Sequence, residues 1–130
     1  MKLYPNDTLY CQNDYAEELF FINKGRIKMY FDLNDSIEGA PPVNIPFNLY
    51  VEGSYFGDSD LFVNEGFNVR DCTAISRHDS WLLVITRREL FNILHRFPKI
   101  KKEMQLVSQE RRLYHETSMK EAAERYYKEQ

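Results

Sequence analysis

Apolar and polar side chains alternate along much of the first 85 residues. Every second position is apolar in residues 26–32 and again in residues 43–50, which is the period of a strand with one face in water. Residues 18–23 form a dense run of apolar and aromatic side chains, and residues 81–85 form another. These runs predict further strands, the second of them buried, with Trp81 in the core.

Turn-forming residues separate these runs at short intervals. Residues 4–7 predict a tight turn, Lys24-Gly25 a hairpin, and residues 33–42 a loop, because Gly, Pro, Asn and Asp are frequent in them. Short strands also fit residues 8–11 and 72–76. About eight short strands with turns at steady spacing are typical of an antiparallel sandwich or barrel.

The period changes at Thr86, where a helical pattern begins. Thr86 and Glu89 have the spacing of a capping box, and an apolar face follows them. Pro98 then ends this helix and suits the first position of the next one. We expect a short helix over residues 86–97 and a long one over residues 98–130. The stripe of the long helix that we expect to be buried consists of Ile100, Met104, Val107, Arg111 and Tyr114.

Composition limits the architecture and the classes of partner. The chain has 130 residues with a hydrophobic content of 43%, enough for one core but not for two independent ones. Its net charge of −3 argues against a nucleic-acid-binding surface, because phosphate contacts need a basic excess. No apolar run approaches the roughly 20 residues of a spanning helix. Cys11 and Cys72 lack CxxC spacing and we find no signal peptide, so we expect free thiols in a cytoplasmic setting.

Residues 53–74 combine two features of an anion-binding site. Gly53 and Gly57 support turns that expose backbone N–H groups, and Arg70 carries a forked cation at the start of the next strand. Together these groups suit a phosphate. A tight turn with an arginine on the surface is the alternative that spacing alone allows.

Four motifs give the chain a recognisable pattern. They are the turn Pro5-Asn6-Asp7, the run Leu19-Phe20-Phe21-Ile22 with Gly25, the run Gly53-Ser54-Tyr55-Phe56-Gly57-Asp58 with Arg70, and residues 90–98. As a set they resemble the cyclic-nucleotide-binding domain family, and more closely the C-terminal cytoplasmic domains of voltage-gated or cyclic-nucleotide-regulated cation channels. The resemblance covers essentially the whole chain. It implies an α+β, mainly β fold: an eight-stranded antiparallel, jelly-roll-like β-roll over residues 1–85, followed by two C-terminal helices, the second acting as a lid.

The same resemblance implies roles for individual residues. Phe56 and Gly57 would border the nucleotide pocket, and the backbone amides after them would hold the cyclic phosphate. Asp58 would accept a hydrogen bond from the ribose 2′-hydroxyl, Arg70 would pair with the phosphate, and Arg111 on the last helix would lie near the purine. The implied set of ligand-binding residues is completed by Ser59, Asp71 and Cys72.

Three acidic residues depart from the family pattern. Asp58 stands where ligand-binding members prefer Glu, and Asp60 and Asp71 replace small or neutral residues. An arginine–phosphate hydrogen bond contributes about 1.5 to 3 kcal/mol, whereas a carboxylate about 4 Å from the phosphate would cost up to ~4 kcal/mol at an effective dielectric near 20. Two arrangements therefore stay open: Asp71 points outward, or Arg70 pairs internally with one of the three acids.

The expected function is a ligand-sensing regulatory module of a larger protein, a cation channel, in which cAMP or cGMP binds in the roll and the last helix closes over it. The alternative is a homologous domain that binds no nucleotide and acts in gating or subunit assembly. We expect no enzyme and no cofactor, because no nucleophile has a nearby base and His78, His95 and His115 are too scattered for a metal site. The expected location is the cytoplasmic part of a membrane protein. The expected partners are the cyclic nucleotide and the rest of the channel, with self-association through the last helix left open.

Overall fold

Two antiparallel sheets of four strands each form the body of the protein. The computed structural model describes residues 1–62 and 68–130. The strands are β1 (Lys2–Leu3), β2 (Thr8–Tyr10), β3 (Glu18–Lys24), β4 (Arg26–Asp32), β5 (Asn44–Val51), β6 (Tyr55–Phe56), β7 (Thr73–Ser76) and β8 (Ser80–Thr86). One sheet has the order β1-β8-β3-β6 and the other β2-β7-β4-β5. The expected eight-stranded roll is thereby confirmed.

The chain changes sheets at Gly25. A hairpin was predicted at Lys24-Gly25, but β3 pairs with β6 and β8 while β4 pairs with β5 and β7, so that prediction is wrong. Gly25 has a φ of 107° and lies against Ser80, whose side chain a Cβ at position 25 would overlap. The crossing therefore requires glycine for its backbone angle and for space.

The main core fills the space between the two sheets. Phe56 is at its centre, with its ring stacked on Phe20 at a centroid distance of 5.4 Å and on Tyr50 at 5.5 Å. Ile22, Ile27, Met29, Cys72, Ala74 and Leu82 complete the buried interior. Because Phe56 ends β6, this core fixes the position of the turn that follows it.

The outer face of β8 carries apolar side chains that are exposed to solvent. Trp81 is 37% exposed and Leu83 59% exposed, whereas Ser80 and Leu82, on either side of Trp81, are buried. The prediction of a buried Trp81 is therefore wrong. Buried and exposed positions alternate at the start of β8, as in a strand with one face in water, although apolar side chains lie on both faces. The Lys2 ammonium lies 4.8 Å from the centre of the indole ring.

Two helices follow the roll: α1 (Arg87–His95) and α2 (Pro98–Lys128). The predicted capping box is confirmed, since the Thr86 hydroxyl accepts a hydrogen bond from the Glu89 backbone and the Glu89 carboxylate accepts one from the Thr86 backbone. Pro98 occupies the first turn of α2. No helix in the described residues is both long and apolar enough to cross a membrane.

The buried face of α2 differs from the predicted one. Ser108, His115 and Ala122, at intervals of seven, are its buried residues. Ile100, Val107 and Tyr114 of the predicted stripe are exposed, so the prediction is wrong for them. Met104 and Arg111 of the same stripe face the roll, where Met104 packs on an apolar cluster and Arg111 bonds to Asp58.

Candidate functional site

The candidate site lies where α2 crosses the turn that follows β6. Arg111 and Arg112 come three and four residues after Ser108, and His115 comes four and three residues after them, which places the four on one side of the helix. Each of them bonds to the roll. The helix is therefore attached to the roll through polar and charged side chains.

Asp58 is the first anchor of this helix. Its side chain is 2% exposed and accepts a hydrogen bond of 2.6 Å from the Ser108 hydroxyl and one of 2.9 Å from Arg111 Nη1. Arg111 also donates to the Tyr55 carbonyl at 2.7 Å and lies 4.0 Å above the Tyr55 ring. The residue expected to accept from a ribose hydroxyl thus binds the lid helix.

Arg70 lies inside the roll, beneath that turn. Its side chain is 2% exposed; Nη1 donates to the Gly57 carbonyl at 2.9 Å and to Asp60 at 3.2 Å, and Nη2 donates to the Glu18 carbonyl at 2.6 Å. The Tyr10 ring is 4.2 Å from the guanidinium. Of the internal pairings left open above, the structure has the one with Asp60.

Gly57 allows the arginine to reach this position. Its φ is 86°, in the left-handed region that favours glycine, and an added Cβ would lie 2.9 Å from Arg70 Nη1 and 3.2 Å from the Glu18 carbonyl. The expected proximity of Gly57 and Arg70 is therefore present. The carbonyl of Gly57 makes the contact, rather than an amide.

Asp60 is the counter-ion of Arg70, but its ionised form is disfavoured by burial. Burial, and next the charge of Asp71, raise the pKa of Asp60 to about 6, although Arg70 acts to lower it. Asp60 Oδ1 is buried and has no hydrogen-bond partner among the described residues. The ionised carboxylate is consequently held at a cost, and a proton or another anion can compete with the pair.

Asp71 forms the second anchor of α2. Its Oδ2 is 3.1 Å from His115 Nδ1, and His115 Nε2 is 2.8 Å from the Tyr50 hydroxyl. Burial acts to raise the pKa of Asp71, but the hydrogen bond and charge of His115 outweigh it and the net shift is downward. Of the two orientations considered for Asp71, the structure has it facing the helix, not solvent.

The other predicted residues support the site from inside. Ser59 is buried and its carbonyl accepts a hydrogen bond of 3.2 Å from Arg112. Cys72 is fully buried, with its sulfur 3.8 Å from that of Met29, and burial raises the pKa of its thiol. Phe56 belongs to the core described above. The structure thus places most of the predicted set at the turn after β6, and places Asp71 and Cys72 at the second anchor, near His115.

Sequence reasoning missed four residues of this site: Tyr50 on β5, and Ser108, Arg112 and His115 on α2. The three helix residues were not selected because the long helix was searched for an apolar stripe. The signal that could have found the helix residues is the spacing of Ser108, Arg111 and His115 on a helix that follows an acidic turn. A shallow groove of about 320 Å³ borders the site, between α2 and β5, with Tyr50 and Arg111 in its wall.

Comparison with solved structures shows the fold. An EAL enzyme in its cAMP-bound form has a TM-score of 0.66 and 18% identity, with 88% of this chain and 28% of that chain covered. The c-di-GMP-responsive global regulator CLP of Xanthomonas campestris has a TM-score of 0.68 and 16% identity, with 90% and 55% covered. The regulatory subunit of a cAMP-independent protein kinase A from Trypanosoma brucei has a TM-score of 0.63 and 13% identity, with 82% and 36% covered. The chain thus spans less than two thirds of each of these proteins.

Sequence comparison identifies the family. A comparison with curated proteins gave no match. The family profile described as the cyclic nucleotide-binding domain matches residues 1–97, that is, the roll and α1, and ends before α2. The match covers well over half of the chain and includes Gly57, Asp58 and Arg70. The chain belongs to the cyclic nucleotide-binding domain family.

Proposed function

We propose that this chain is the ligand-sensing regulatory module of a larger protein, in which cAMP or cGMP binds beneath α2 in competition with Asp60. The observation that carries the proposal is the buried pair of Arg70 and Asp60 beside Gly57. It supports an anion site at the position where the resemblance expects the cyclic phosphate. The module is regulatory, as the family is, and not catalytic.

The competition between the Asp60 carboxylate and a cyclic phosphate for Arg70 is close to balanced. Carboxylate and phosphate are both anions that a guanidinium binds through charge-assisted hydrogen bonds. The rise in the pKa of Asp60 from 3.8 to about 6 corresponds to about 3 kcal/mol against its buried, ionised form. Moving that carboxylate out to water recovers part of this cost, which offsets the bond that Arg70 loses. Asp60 therefore weakens nucleotide binding without abolishing it.

The signal would leave through α2. A ribose hydroxyl bound to Asp58 competes with Ser108 and Arg111 for the same carboxylate oxygens. Nucleotide binding then changes the hold of the roll on the helix, and a ligand shifts a conformational equilibrium only through such a difference between states. The helix position is thus the output of the module.

Calorimetric titration of the chain with cAMP and with cGMP tests the proposal. Asp60→Asn removes the competing charge, so we expect it to tighten binding by about tenfold or more, while Arg70→Glu abolishes binding. Asp79→Asn, at an exposed turn, is the matched control and should leave affinity unchanged. Absence of heat at millimolar nucleotide in both the wild type and Asp60→Asn would overturn nucleotide sensing.

A second candidate is a latch that works without nucleotide. The observation favouring it is that Asp58 and Asp71 bond directly to side chains of α2. In this case a proton or a partner protein releases the helix. The same titration separates the two, because the latch predicts no heat with either nucleotide while Asp58→Asn still releases α2.

The kind of larger protein that contains this module is inferred from the sequence resemblance. The three structural relatives are an enzyme, a global regulator and a kinase subunit, each longer than this chain. A cation channel, with this module in the cytoplasm, rests on the sequence resemblance alone, as does self-association through α2. Sedimentation of the purified chain at several concentrations tests the self-association.

A further inference from the structure

We propose that Asp71, Cys72 and His115 form a binding site for a divalent cation of the zinc class, which bridges the roll and α2. The site does not depend on nucleotide binding. Sequence spacing pointed to no metal site, because Cys72 and His115 are far apart in the chain. The fold brings them together where the start of β7 meets the helix.

The geometry of the three side chains carries this proposal. One ligand atom from each residue lies within 4.8 Å of the other two, and Asp71 Oδ2 is 3.1 Å from His115 Nδ1. Tetrahedral zinc with bonds of about 2.0 to 2.3 Å needs ligand atoms about 3.3 to 3.6 Å apart. Side-chain rotations that move the ligand atoms by about 1 Å bring the three atoms to this spacing. A water would take the fourth position of the shell.

A second, independent observation points to a missing positive group. Asp71 Oδ1 is buried and lacks a hydrogen-bond partner among the described residues. Buried carboxylate oxygens are normally satisfied by donors or by cations. A cation held between Asp71, Cys72 and His115 would satisfy this oxygen.

The surroundings of His115 suit a metal ligand. Its Nε2 is 2.8 Å from the Tyr50 hydroxyl, so when a cation takes the place of the Nδ1 proton that faces Asp71, an Nε2–H donated to that oxygen leaves the Nδ1 lone pair for the metal. Metal-ligating histidines are commonly held by such an outer hydrogen bond. Asp71 keeps part of its side chain exposed, at 19%, which provides a path for the ion.

Binding would release a proton. The Cys72 thiol loses its hydrogen to solvent as the Zn–S bond forms, and His115 binds as neutral imidazole. No electron is transferred, because Zn²⁺ has no redox chemistry. Since Cys72 belongs to the roll and His115 to α2, the bound ion holds the helix in its docked position.

Cobalt substitution tests the site directly. Titration of the 130-residue chain with CoCl₂ should produce the near-ultraviolet thiolate-to-cobalt band together with the visible bands of tetrahedral Co²⁺, and ZnCl₂ should displace both. Cys72→Ser should abolish the thiolate band. His115→Gln should weaken Zn²⁺ binding by at least the roughly 10- to 100-fold that the loss of an outer-shell partner costs, because it removes a direct ligand. Cys11→Ser and His78→Gln, at exposed positions, are the matched controls and should change neither.

Several outcomes would overturn the proposal. The thiolate band is absent from the wild type, or it persists in Cys72→Ser, or Cys11→Ser removes it and thereby assigns it to the exposed thiol. If Cys72→Ser fails to fold by circular dichroism, Asp71→Asn with His115→Gln decides instead, since both leave the core sulfur in place. Unchanged zinc affinity in that double variant contradicts the site.

Discussion

The two helices pack on the same roll by different means. The α1 helix inserts Leu90 and Leu94 into an apolar cluster with Leu19 and Leu61. Among the residues that the structure describes, the α2 helix adds only Met104 to that cluster and Met119 to the main core. It is bonded to the roll through Ser108, Arg111 and His115, which contact the carboxylates of Asp58 and Asp71. Apolar packing is insensitive to protons and to small charged ligands, whereas charge-assisted hydrogen bonds respond to both. The comparison indicates that α1 is a fixed part of the domain and α2 its releasable part.

The largest expected effect comes from breaking the α1 contact. Leu94 is 4% exposed, and Leu94→Ala should lower the free energy of unfolding of the whole domain by about 2 to 5 kcal/mol, because it leaves a cavity in the cluster. Urea unfolding measures this loss. Ile93→Ala, at the exposed neighbouring position, should cost less than about 1 kcal/mol. Equal losses in the two variants would contradict the packing of α1.

The next effect concerns pH and the pair beneath α2. The folded-state pKa of Asp60, about 6, lies above the value near 3.9 of an unfolded chain. Its contribution therefore favours folding below that lower value and is lost as the pH rises through about 6, by up to about 3 kcal/mol. We expect Asp60→Asn to remove this slope between pH 4 and 6, measured by urea unfolding at several pH values.

Asp71 acts with the opposite sign and in another range. Because its folded-state pKa is lowered, its contribution is present above the unfolded value and is lost as the pH falls below about 4. The two acids are therefore separable by pH. If Asp60→Asn leaves the slope between pH 4 and 6 unchanged, Asp60 does not carry the cost assigned to it.

A smaller effect is expected when the α2 anchor is loosened. Asp58→Asn keeps the shape of the side chain but removes the charge that binds Ser108 and Arg111, at a cost of about 1 to 2 kcal/mol. Hydrogen–deuterium exchange should show faster exchange in residues 104–122, while the strands stay protected. Glu110→Gln, exposed on the same helix, is the matched control. Global loss of protection would mean that α2 is as integral to the fold as α1.

Local patterns predicted α1 far better than α2. The capping box at Thr86 and Glu89 and the period-two strands depend on neighbours in the sequence, so they could be identified directly. The buried stripe of α2 depends on the surface it meets, and that surface is acidic, so a search for apolar positions selected three exposed residues beside Met104 and Arg111. The prediction that Trp81 is buried was wrong for a related reason, because β8 also has apolar side chains on its solvent-exposed face.

Part of the membership of the site was predictable from the sequence, but the pairing of its residues was not. Resemblance to the family selected Asp58, Arg70 and Arg111, and the structure brings all three to the turn after β6. Which acid binds Arg70 is decided by distances across strands that no spacing encodes, and the structure selects Asp60. His115 was missed because its partners, Asp71 and Tyr50, come from two separate strand regions.

The smallest expected effect sharpens the comparison at the helix starts. The Thr86 hydroxyl caps α1 through the Glu89 backbone N–H at 3.1 Å, whereas α2 begins at Pro98 after Phe97 without a side-chain cap. Thr86→Ala should therefore lower the free energy of unfolding by about 1 kcal/mol. Thr117→Ala, on the exposed face of α2, should be neutral or slightly stabilising, because alanine has the higher helix propensity. Chemical denaturation of both variants measures the difference. If Thr86→Ala also accelerates exchange in residues 104–122, the hold of the roll on α2 is transmitted through α1, and the two helices do not move independently.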